Sequence, residues 1–218
     1  MAMPMPDAAG AIGMETAMDM SDIDGQAIRA TNGEKLAVFS KFNGWPELKE
    51  AMMSGQIKAA YLLAPMVMDL ADRGVPVKIV ALGHRSGAVI MTGVHSPARN
   101  MGDLRGKRIA IPSRFAVDNI FVRRMMKQYG LGSADVTLVE MAPPDMPAAL
   151  YSGAIEAFAT GEPFGALAER EGFGRILHMT RDEWPRYICC VLTVRQDLID
   201  TDRRTVQRLV DHVLSAGL

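Results

Sequence analysis

The sequence predicts an α/β protein made of two similar lobes with a ligand cleft between them. Two observations support this prediction. Strand-like and helix-like segments alternate from about residue 34 onward, and one stretch of helix, strand and helix occurs twice. Each lobe would offer the carboxyl ends of its strands to the cleft, which is where open α/β sheets bind ligands.

Turn residues separate the predicted segments along the chain. Pro46 lies in the first turn of one helix and Gly55 ends it, because proline suits a helix start and glycine a helix end. The predicted strands are 35–40, 57–64, 77–83, 88–94, 107–111, 136–141, 154–159, 175–179 and 188–194. The predicted helices are 45–55, 65–73, 117–129, 145–152, 163–171 and 202–217. Their regular alternation favours a parallel sheet.

The internal repeat consists of residues 51–74 (AMMSGQIKAAYLLAPMVMDLADRG), which align with residues 149–172 (ALYSGAIEAFATGEPFGALAEREG). Serine, glycine, isoleucine and proline coincide at several positions of this alignment. A common α/β pattern that recurs by chance is the alternative, and two copies are too few for a solenoid. The predicted organisation is an irregular segment at 1–33, lobe 1 at 34–94, lobe 2 at 95–183, and a return to lobe 1 at 184–218.

Composition limits the possible partners and cofactors. The 218 residues are 49% hydrophobic, and 24 basic residues balance 25 acidic ones, so nucleic acid is not an expected partner. No run reaches the roughly 20 apolar residues of a membrane span. The four histidines lack close ligand spacing, and the adjacent pair Cys189 and Cys190 suits neither a metal cluster nor an unstrained disulfide. We therefore expect no metal and no cofactor.

The first residues do not resemble a secretory signal. They are rich in methionine and contain no basic residue before Arg29, whereas a signal needs a basic start and an unbroken apolar middle. The expectation is a mature, truncated or cytoplasmic chain.

Loops that join a strand to a helix start are the candidate cleft loops. Helix N-termini carry a partial positive charge of about +0.5, which favours anionic or strongly polar ligand groups. The four loops are residues 64–66, 113–116, 143–145 and 161–164.

Several motifs in these regions resemble one protein family. FNGWPELKEAMMSGQIKAAYLLAPM, LRGKRIAIPSRFAVDNIFVRRMMKQYGL, VEMAPPDMPAALYSGAIEAFATGEPF and WPRYICCVL are similar to solute-binding proteins of bacterial ABC importers for nitrate, bicarbonate, sulfonates, taurine and thiamine-precursor pyrimidines. The resemblance runs from about residue 35 to 218 and implies the type 2 periplasmic-binding-protein fold. It further implies an extracytoplasmic, monomeric binder that hands a small-molecule solute to an ABC permease. Because family chains extend further at both ends, we expect this chain to be shortened at both.

The resemblance also implies which solutes fit. In the nitrate and bicarbonate branch a pocket tryptophan matches Trp45, but a histidine is replaced by Asp118, a lysine by Cys190 and a glutamine by about Gly87. A buried carboxylate would repel nitrate unless protonated. Nitrate and bicarbonate are therefore disfavoured, and the predicted solute is sulfonate-like or taurine-like, a pyrimidine or an aromatic acid.

Several candidate contacts also have structural explanations. Trp45 and Cys190 can pack within the protein, Ser113 can cap the following helix, Arg114 can pair with Asp118 or Glu162, and Glu162 can bind the amides of its own loop. His84 follows a strand end and is expected at the cleft or its rim. The candidate ligand-binding residues are Trp45, Pro65, His84, Ser113, Arg114, Phe115, Asp118, Glu162, Phe164 and Cys190.

An enzyme of the same fold is the main alternative. Relatives that make the thiamine pyrimidine use a histidine and a cysteine cluster with iron, and the adjacent cysteines invite that comparison. No Ser-His-Asp or Cys-His arrangement with usable spacing supports it. A regulatory domain is disfavoured because no basic helix-turn-helix precedes the lobes.

Overall fold

The structure is a computed structural model and describes residues 27–29, 35–38, 40, 42, 44–83 and 87–216. Its strands are β1 (Ala27–Arg29), β2 (Lys35–Val38), β3 (Ala59–Leu63), β4 (Val77–Leu82), β5 (Ala88–Gly93), β6 (Arg108–Ile111), β7 (Thr137–Glu140), β8 (Ala157–Gly161), β9 (Gly174–Met179) and β10 (Cys190–Arg195). Its helices are α1 (Trp45–Ser54), α2 (Ala64–Asp72), α3 (Val117–Gln128), α4 (Met146–Tyr151), α5 (Phe164–Arg170), α6 (Thr180–Glu183), α7 (Gln196–Thr201) and α8 (Arg203–Ala216). Short 3₁₀ helices span Met101–Leu104 and Pro143–Asp145.

The predicted segments match these elements within a few residues, and helix α1 shows why. It begins at Trp45 with a proline in its first turn and ends at Gly55, whose φ of 78° is left-handed. Glycine adopts this conformation at no steric cost, so the helix end is readable locally. Helices α6 and α7 were not predicted, since neither has a proline start or a glycine end.

The chain divides into two compact units at positions that differ from the predicted boundaries. It passes from unit 1 to unit 2 between residues 84 and 85, and returns between residues 189 and 190. Strand β5 was expected in the first lobe, yet it is hydrogen-bonded between β8 and β9 in unit 2. The chain therefore enters unit 2 before β5, whereas the prediction placed this boundary after β5.

Unit 1 contains a three-stranded sheet in the order β3-β10-β4. Strand β10 is antiparallel to both neighbours, so β3 and β4 end at the edge where β10 begins. Strands β1 and β2 form a separate antiparallel pair. The expectation of a parallel sheet is therefore wrong for this unit, because the strand that returns from unit 2 enters between the other two in the opposite direction.

Unit 2 contains a five-stranded sheet in the order β7-β6-β8-β5-β9. Strand β6 is parallel to β7 and β8, while β5 is antiparallel to β8 and β9. The parallel prediction holds for β6, β7 and β8 and is wrong for β5. A single strand cannot reveal its direction through its own residues, because alternation of side chains is the same in both.

Helices cover both faces of the unit 2 sheet. Phe121 and Met125 of α3 pack with Ile109 and Ile111 of β6 in one apolar cluster. The opposite cluster contains Ala110 of β6 with side chains of α4 and α5. Adjacent residues of one strand thus feed two cores, as the twofold alternation of a strand requires.

The internal repeat is visible in the local structure. Gly55 and Gly153 both have positive φ, of 78° and 74°. The hydroxyls of Ser54 and Ser152 each donate to the carbonyl three residues earlier at 3.2 Å. The same helix end followed by a strand and a helix therefore occurs once in each unit. Within the described part of the chain, no helix is long and apolar enough to cross a membrane.

Candidate functional site

The candidate site of each unit lies at the edge where its parallel strands end. In unit 1, β10 begins with Cys190 opposite Leu63, the last residue of β3. In unit 2, β5 begins with Ala88 opposite Gly161, the last residue of β8. These two pairs occupy equivalent positions of the repeat. Loops and helix starts that follow the parallel strands gather at these edges, as in other open α/β sheets.

Cys190 is held tightly in unit 1. Its carbonyl accepts a hydrogen bond from the Gly83 amide at 2.9 Å, and its side chain is buried. A Cβ at Gly83 would lie 2.5 Å from that carbonyl oxygen and 2.9 Å from Cε1 of Tyr61, so this position requires glycine. Burial, with a smaller effect of the Cys190 thiol, raises the pKa of Tyr61. Cys190 thus packs beside Tyr61 at the sheet edge.

Trp45 is the first residue of α1 and is 2% exposed. Its indole Nε1 is buried and finds no hydrogen-bond acceptor among the described residues. The helix is preceded by Gly44 in an extended conformation, which offers no side-chain cap. A buried donor without an acceptor costs about 1–3 kcal/mol, so it is uncommon in a native protein.

Pro65 lies in the first turn of α2 and is partly buried. The residue before the helix, Leu63, supplies no side-chain cap, and the first turn holds no acidic residue. The amides at the start of α2 therefore lack a cap from their own loop. His84, which follows β4, lies outside the described residues.

The loop between β6 and α3 presents three of the predicted residues. Ser113 is buried, and its Oγ accepts a hydrogen bond from the Phe115 amide at 3.2 Å. The N-cap residue of α3 is Ala116, and no side chain there hydrogen-bonds the first amides of the helix. The expectation that Ser113 caps α3 is therefore wrong. The serine bonds inside the turn because it lies three residues before the N-cap.

Arg114 is exposed, and its guanidinium lies over the partly buried Phe115 ring, 5.2 Å from the ring centroid. It forms no salt bridge with any carboxylate in the described part of the chain. The suggested ion pair with Asp118 or Glu162 is therefore not formed. Its backbone carbonyl accepts a 2.7 Å hydrogen bond from Asn119, which shapes the turn.

Asp118, the second residue of α3, is 2% exposed and lies near Tyr187. Burial raises the pKa of Tyr187 well above its usual value, and the charges of Cys189 and Asp118 add to this effect. Tyr187 therefore stays neutral, with its hydroxyl oxygen accepting a hydrogen bond from the Ala88 amide at 3.1 Å.

The contact between Tyr187 and Ala88 was missed by the sequence analysis. Thr180 strengthens it, because its hydroxyl donates to the Ala88 carbonyl at 2.7 Å and accepts from the Ala88 amide at 3.2 Å. The start of β5 is thus hydrogen-bonded to side chains 92 and 99 residues further along the chain. No local signal could reveal this, since the pairing depends on where the two segments meet.

The carboxylate of Glu162 binds the backbone amides of the loop and helix start that follow it. Its carboxylate accepts a hydrogen bond from the Ala166 amide at 2.8 Å and another from the Gly165 amide at the start of α5. A Cβ at Gly165 would lie 2.7 Å from Cγ2 of Val89 and 3.0 Å from the carboxylate, so glycine makes room for this cap. Burial raises the pKa of Glu162, and the two amides partly offset that effect.

Phe164 begins α5 and is 4% exposed. It packs in the apolar cluster of unit 2 that also contains Met146 and Phe158. Its side chain therefore belongs to the core of unit 2. Among the described residues, no group of three or more histidine, cysteine or carboxylate side chains could hold a metal ion.

Comparisons with known proteins agree with this architecture. A family model described as the NMT1-like family matches residues 11–217. The nitrate import ATP-binding protein NrtC of Synechococcus elongatus is 28% identical over 193 residues, which cover 81% of this chain and 29% of that protein. The taurine-binding periplasmic protein of Escherichia coli is 23% identical over 178 residues, which cover 81% of this chain and 55% of that protein.

A solved structure has the same fold. The ligand-binding component of an ABC-type import system from Staphylococcus aureus, crystallised with zinc bound, is 33% identical with a TM-score of 0.76. The match covers 83% of this chain and 62% of that one, so this chain spans less than two thirds of the length of each of these relatives. The resemblance inferred from the sequence motifs is confirmed, and the chain belongs to the NMT1-like family.

Proposed function

We propose that this protein is the solute-binding component of an ABC importer. It captures a small organic solute, of the sulfonate, taurine, pyrimidine or aromatic-acid type, outside the cytoplasm and delivers it to a membrane permease. The protein carries out no chemistry on the solute. Relatives named as parts of import systems, and one named as a periplasmic taurine-binding protein, support this function.

The observation that carries the proposal is the unpartnered indole of Trp45. Arg195, the last residue of β10, donates a 2.8 Å hydrogen bond to the Met52 carbonyl near the end of α1, so this end of the helix lies near the edge where β3 begins. Trp45 is at the other end of α1, which points towards the edge where β3 ends. A tryptophan N–H can only donate, so it requires an acceptor atom. None is present among the described residues, and a bound solute would supply one.

Nitrate import is a second candidate, because NrtC is a relative. Asp118 argues against it, since this side chain is a buried carboxyl near the start of α3, where the small-anion branch is expected to carry a histidine. An ionised carboxylate in that position would repel a nitrate ion.

A thermal-shift screen tests the proposal. The compounds are ethanesulfonate, taurine, an aminopyrimidine, benzoate, nitrate and bicarbonate. A solute present at about 100 times its Kd adds about 2.7 kcal/mol to the free energy of unfolding, which raises the midpoint by roughly 5–10 °C for a chain of this size. The variant Trp45→Phe, which keeps the ring and loses the N–H, should show a smaller shift with the same solute.

The outcomes separate the candidates. A shift with an organic solute supports the proposal, and a shift with nitrate alone favours the second candidate. Failure of every compound to raise the midpoint of the folded protein rejects the binding function. Stoichiometric iron in the purified protein would favour the enzyme alternative instead.

A further inference from the structure

One side of helix α3 presents a row of basic side chains to solvent. Arg123, Arg124 and Lys127 are exposed, and their spacing places them together on the helix surface. Ile120 lies one turn earlier on the same side and is 40% exposed. We call these four residues the basic face. Among the described residues, no carboxylate lies within salt-bridge distance of its three cations.

Other arginines of unit 2 have carboxylate partners. Arg105 pairs with Asp135, and the Arg108 guanidinium lies 3.0 Å from a carboxylate oxygen of Glu156. Such pairs neutralise the local charge of the surface that carries them. The cations of the basic face are not neutralised in this way within the described part of the chain, so their charge can act on a partner.

The carboxylates of the neighbouring segments do not compensate the basic face. The face is formed by α3 and bordered by residues 181–187, and these two segments contain three carboxylates. Asp118 is buried, Asp182 lies 3.6 Å from Arg181, and Glu183 lies 3.0 Å from the His178 ring. The net charge of −1 for the whole chain therefore gives no indication of this local excess of positive charge.

Two of the three basic side chains are held in position. Nε of Arg123 donates to Oδ1 of the buried Asn119 at 3.0 Å, and the Asn119 amide donates to the Arg114 carbonyl at 2.7 Å. The guanidinium of Arg124 lies 5.8 Å from the centroid of the Trp184 ring, within the range of a cation–π contact. Side chains that are already ordered lose less entropy when a partner binds.

Trp184 places an aromatic ring at the edge of the basic face. The ring is partly buried against an apolar cluster of unit 2 and stacks on Tyr187, with the two centroids 5.7 Å apart. Tryptophan favours the headgroup level of a membrane, and the long side chains of arginine and lysine can reach the phosphates there. Basic residues beside a tryptophan and an exposed isoleucine are therefore typical of a surface that contacts a membrane.

We propose that the basic face, with Trp184 at its edge, docks on a membrane that contains anionic phospholipids. The guanidinium groups bind headgroup phosphates, while Ile120 and the tryptophan ring contact the apolar boundary below them. All of these residues belong to unit 2, so docking requires no solute. The inference goes beyond the proposed function, since it assigns a second ligand, a lipid surface, to a different part of the molecule.

Sedimentation with lipid vesicles tests the docking on the unmodified protein. Vesicles of phosphatidylglycerol mixed with phosphatidylcholine are compared with pure phosphatidylcholine vesicles at low ionic strength. Each basic residue near an anionic membrane raises the affinity roughly fivefold, so three should give a preference of roughly 100-fold for the anionic vesicles. Salt at about 1 M shortens the Debye length to about 3 Å and should abolish this preference.

Matched double variants locate the docking surface. Arg123→Gln combined with Arg124→Gln removes two adjacent arginines from α3 and should weaken binding to anionic vesicles by roughly 25-fold. Arg203→Gln combined with Arg204→Gln is the control, because these adjacent arginines are also exposed but begin α8 in unit 1. It changes the net charge by the same amount and should stay within about threefold of the parent. Circular dichroism confirms that both variants are folded.

Each outcome decides the question. Equal binding of the parent protein to the two kinds of vesicle overturns the inference, even if a variant fails to fold. A loss in the α3 variant no larger than that in the α8 variant also overturns it. Binding to soluble polyglutamate without binding to anionic vesicles overturns it as well and points to an acidic protein partner. These measurements contain no solute, so the thermal-shift screen tests the proposed function separately.

Discussion

Replacing Glu162 with alanine removes the cap of helix α5. The carboxylate now accepts a 2.8 Å hydrogen bond from the Ala166 amide and a second one from the Gly165 amide. Loss of a side-chain cap costs about 0.5–2 kcal/mol, and loss of a negative charge at a helix start costs about 0.3–1 kcal/mol. The raised pKa of Glu162 shows that burial outweighs the benefit of its negative charge, so the expected net loss of about 1–2 kcal/mol comes from the two cap hydrogen bonds.

Thermal unfolding followed by circular dichroism measures this loss. For a chain of this length, 1 kcal/mol corresponds to about 2–4 °C, so the midpoint of Glu162→Ala should fall by roughly 2–8 °C. Glu162→Gln is the control, because its amide oxygen can still accept the hydrogen bonds. We expect it to lose less than half as much as the alanine variant at neutral pH.

The stability of the Glu162→Gln variant relative to the parent protein should also change with pH. Burial raises the pKa of Glu162 above its usual value of 4.5, so the folded protein holds this proton more tightly than the unfolded chain. The resulting stability is fully present below about pH 4.5 and is lost as the pH rises through the folded-state pKa. Glu162→Gln lacks this loss, so its stability relative to the parent should improve from acid to neutral pH.

One result would refute the assignment of Glu162 as a cap. If the alanine variant kept the parent midpoint and lost only solute binding, the carboxylate would contact the solute instead. A solute identified in the thermal-shift screen allows both quantities to be measured on the same samples.

Three further predictions concern stability. Gly165→Ala should lower the free energy of unfolding by about 1–3 kcal/mol in urea titrations, because the new Cβ would lie 2.7 Å from a valine methyl group; an unchanged midpoint would contradict the tight packing. The Lys49 hydrogen bond lowers the pKa of Asp69, so the parent should lose stability as the pH falls through that pKa; Asp69→Asn should lack this acid-side loss when urea midpoints at about pH 3 and pH 7 are compared. Tyr187→Phe removes an acceptor of the Ala88 amide, so that amide should exchange its hydrogen faster and stability should fall by about 1 kcal/mol; equal protection in both proteins would argue against the contact.

Helix starts and ends were predictable because their causes are local. Pro46 and Gly55 set the start and the end of α1 through their own backbone preferences. A glycine with positive φ ends the helix again 98 residues later, at Gly153. The alternation of strands and helices likewise indicated the fold class. These signals act within a few residues of the positions they affect, so the amino-acid sequence alone was enough to predict the helix ends and the fold class.

Strand direction and unit boundaries were less predictable. The antiparallel course of β5 and β10 depends on where each returning strand is inserted, and neither strand differs locally from its parallel neighbours. The boundary after residue 84 follows from that insertion, since β5 pairs only with strands of unit 2 among the described pairs.

The candidate site was likewise predictable only in part from the sequence. Residue types and loop positions identified Trp45 and Glu162 as polar groups near helix starts, but left open whether each contacts solute or protein. The structure shows that the Glu162 carboxylate accepts hydrogen bonds from the Gly165 and Ala166 amides, three and four residues further along the chain, which is one of the two alternatives that the sequence left open. Geometry also revealed the unpartnered Trp45 indole, since the absence of an acceptor depends on everything that surrounds a buried atom.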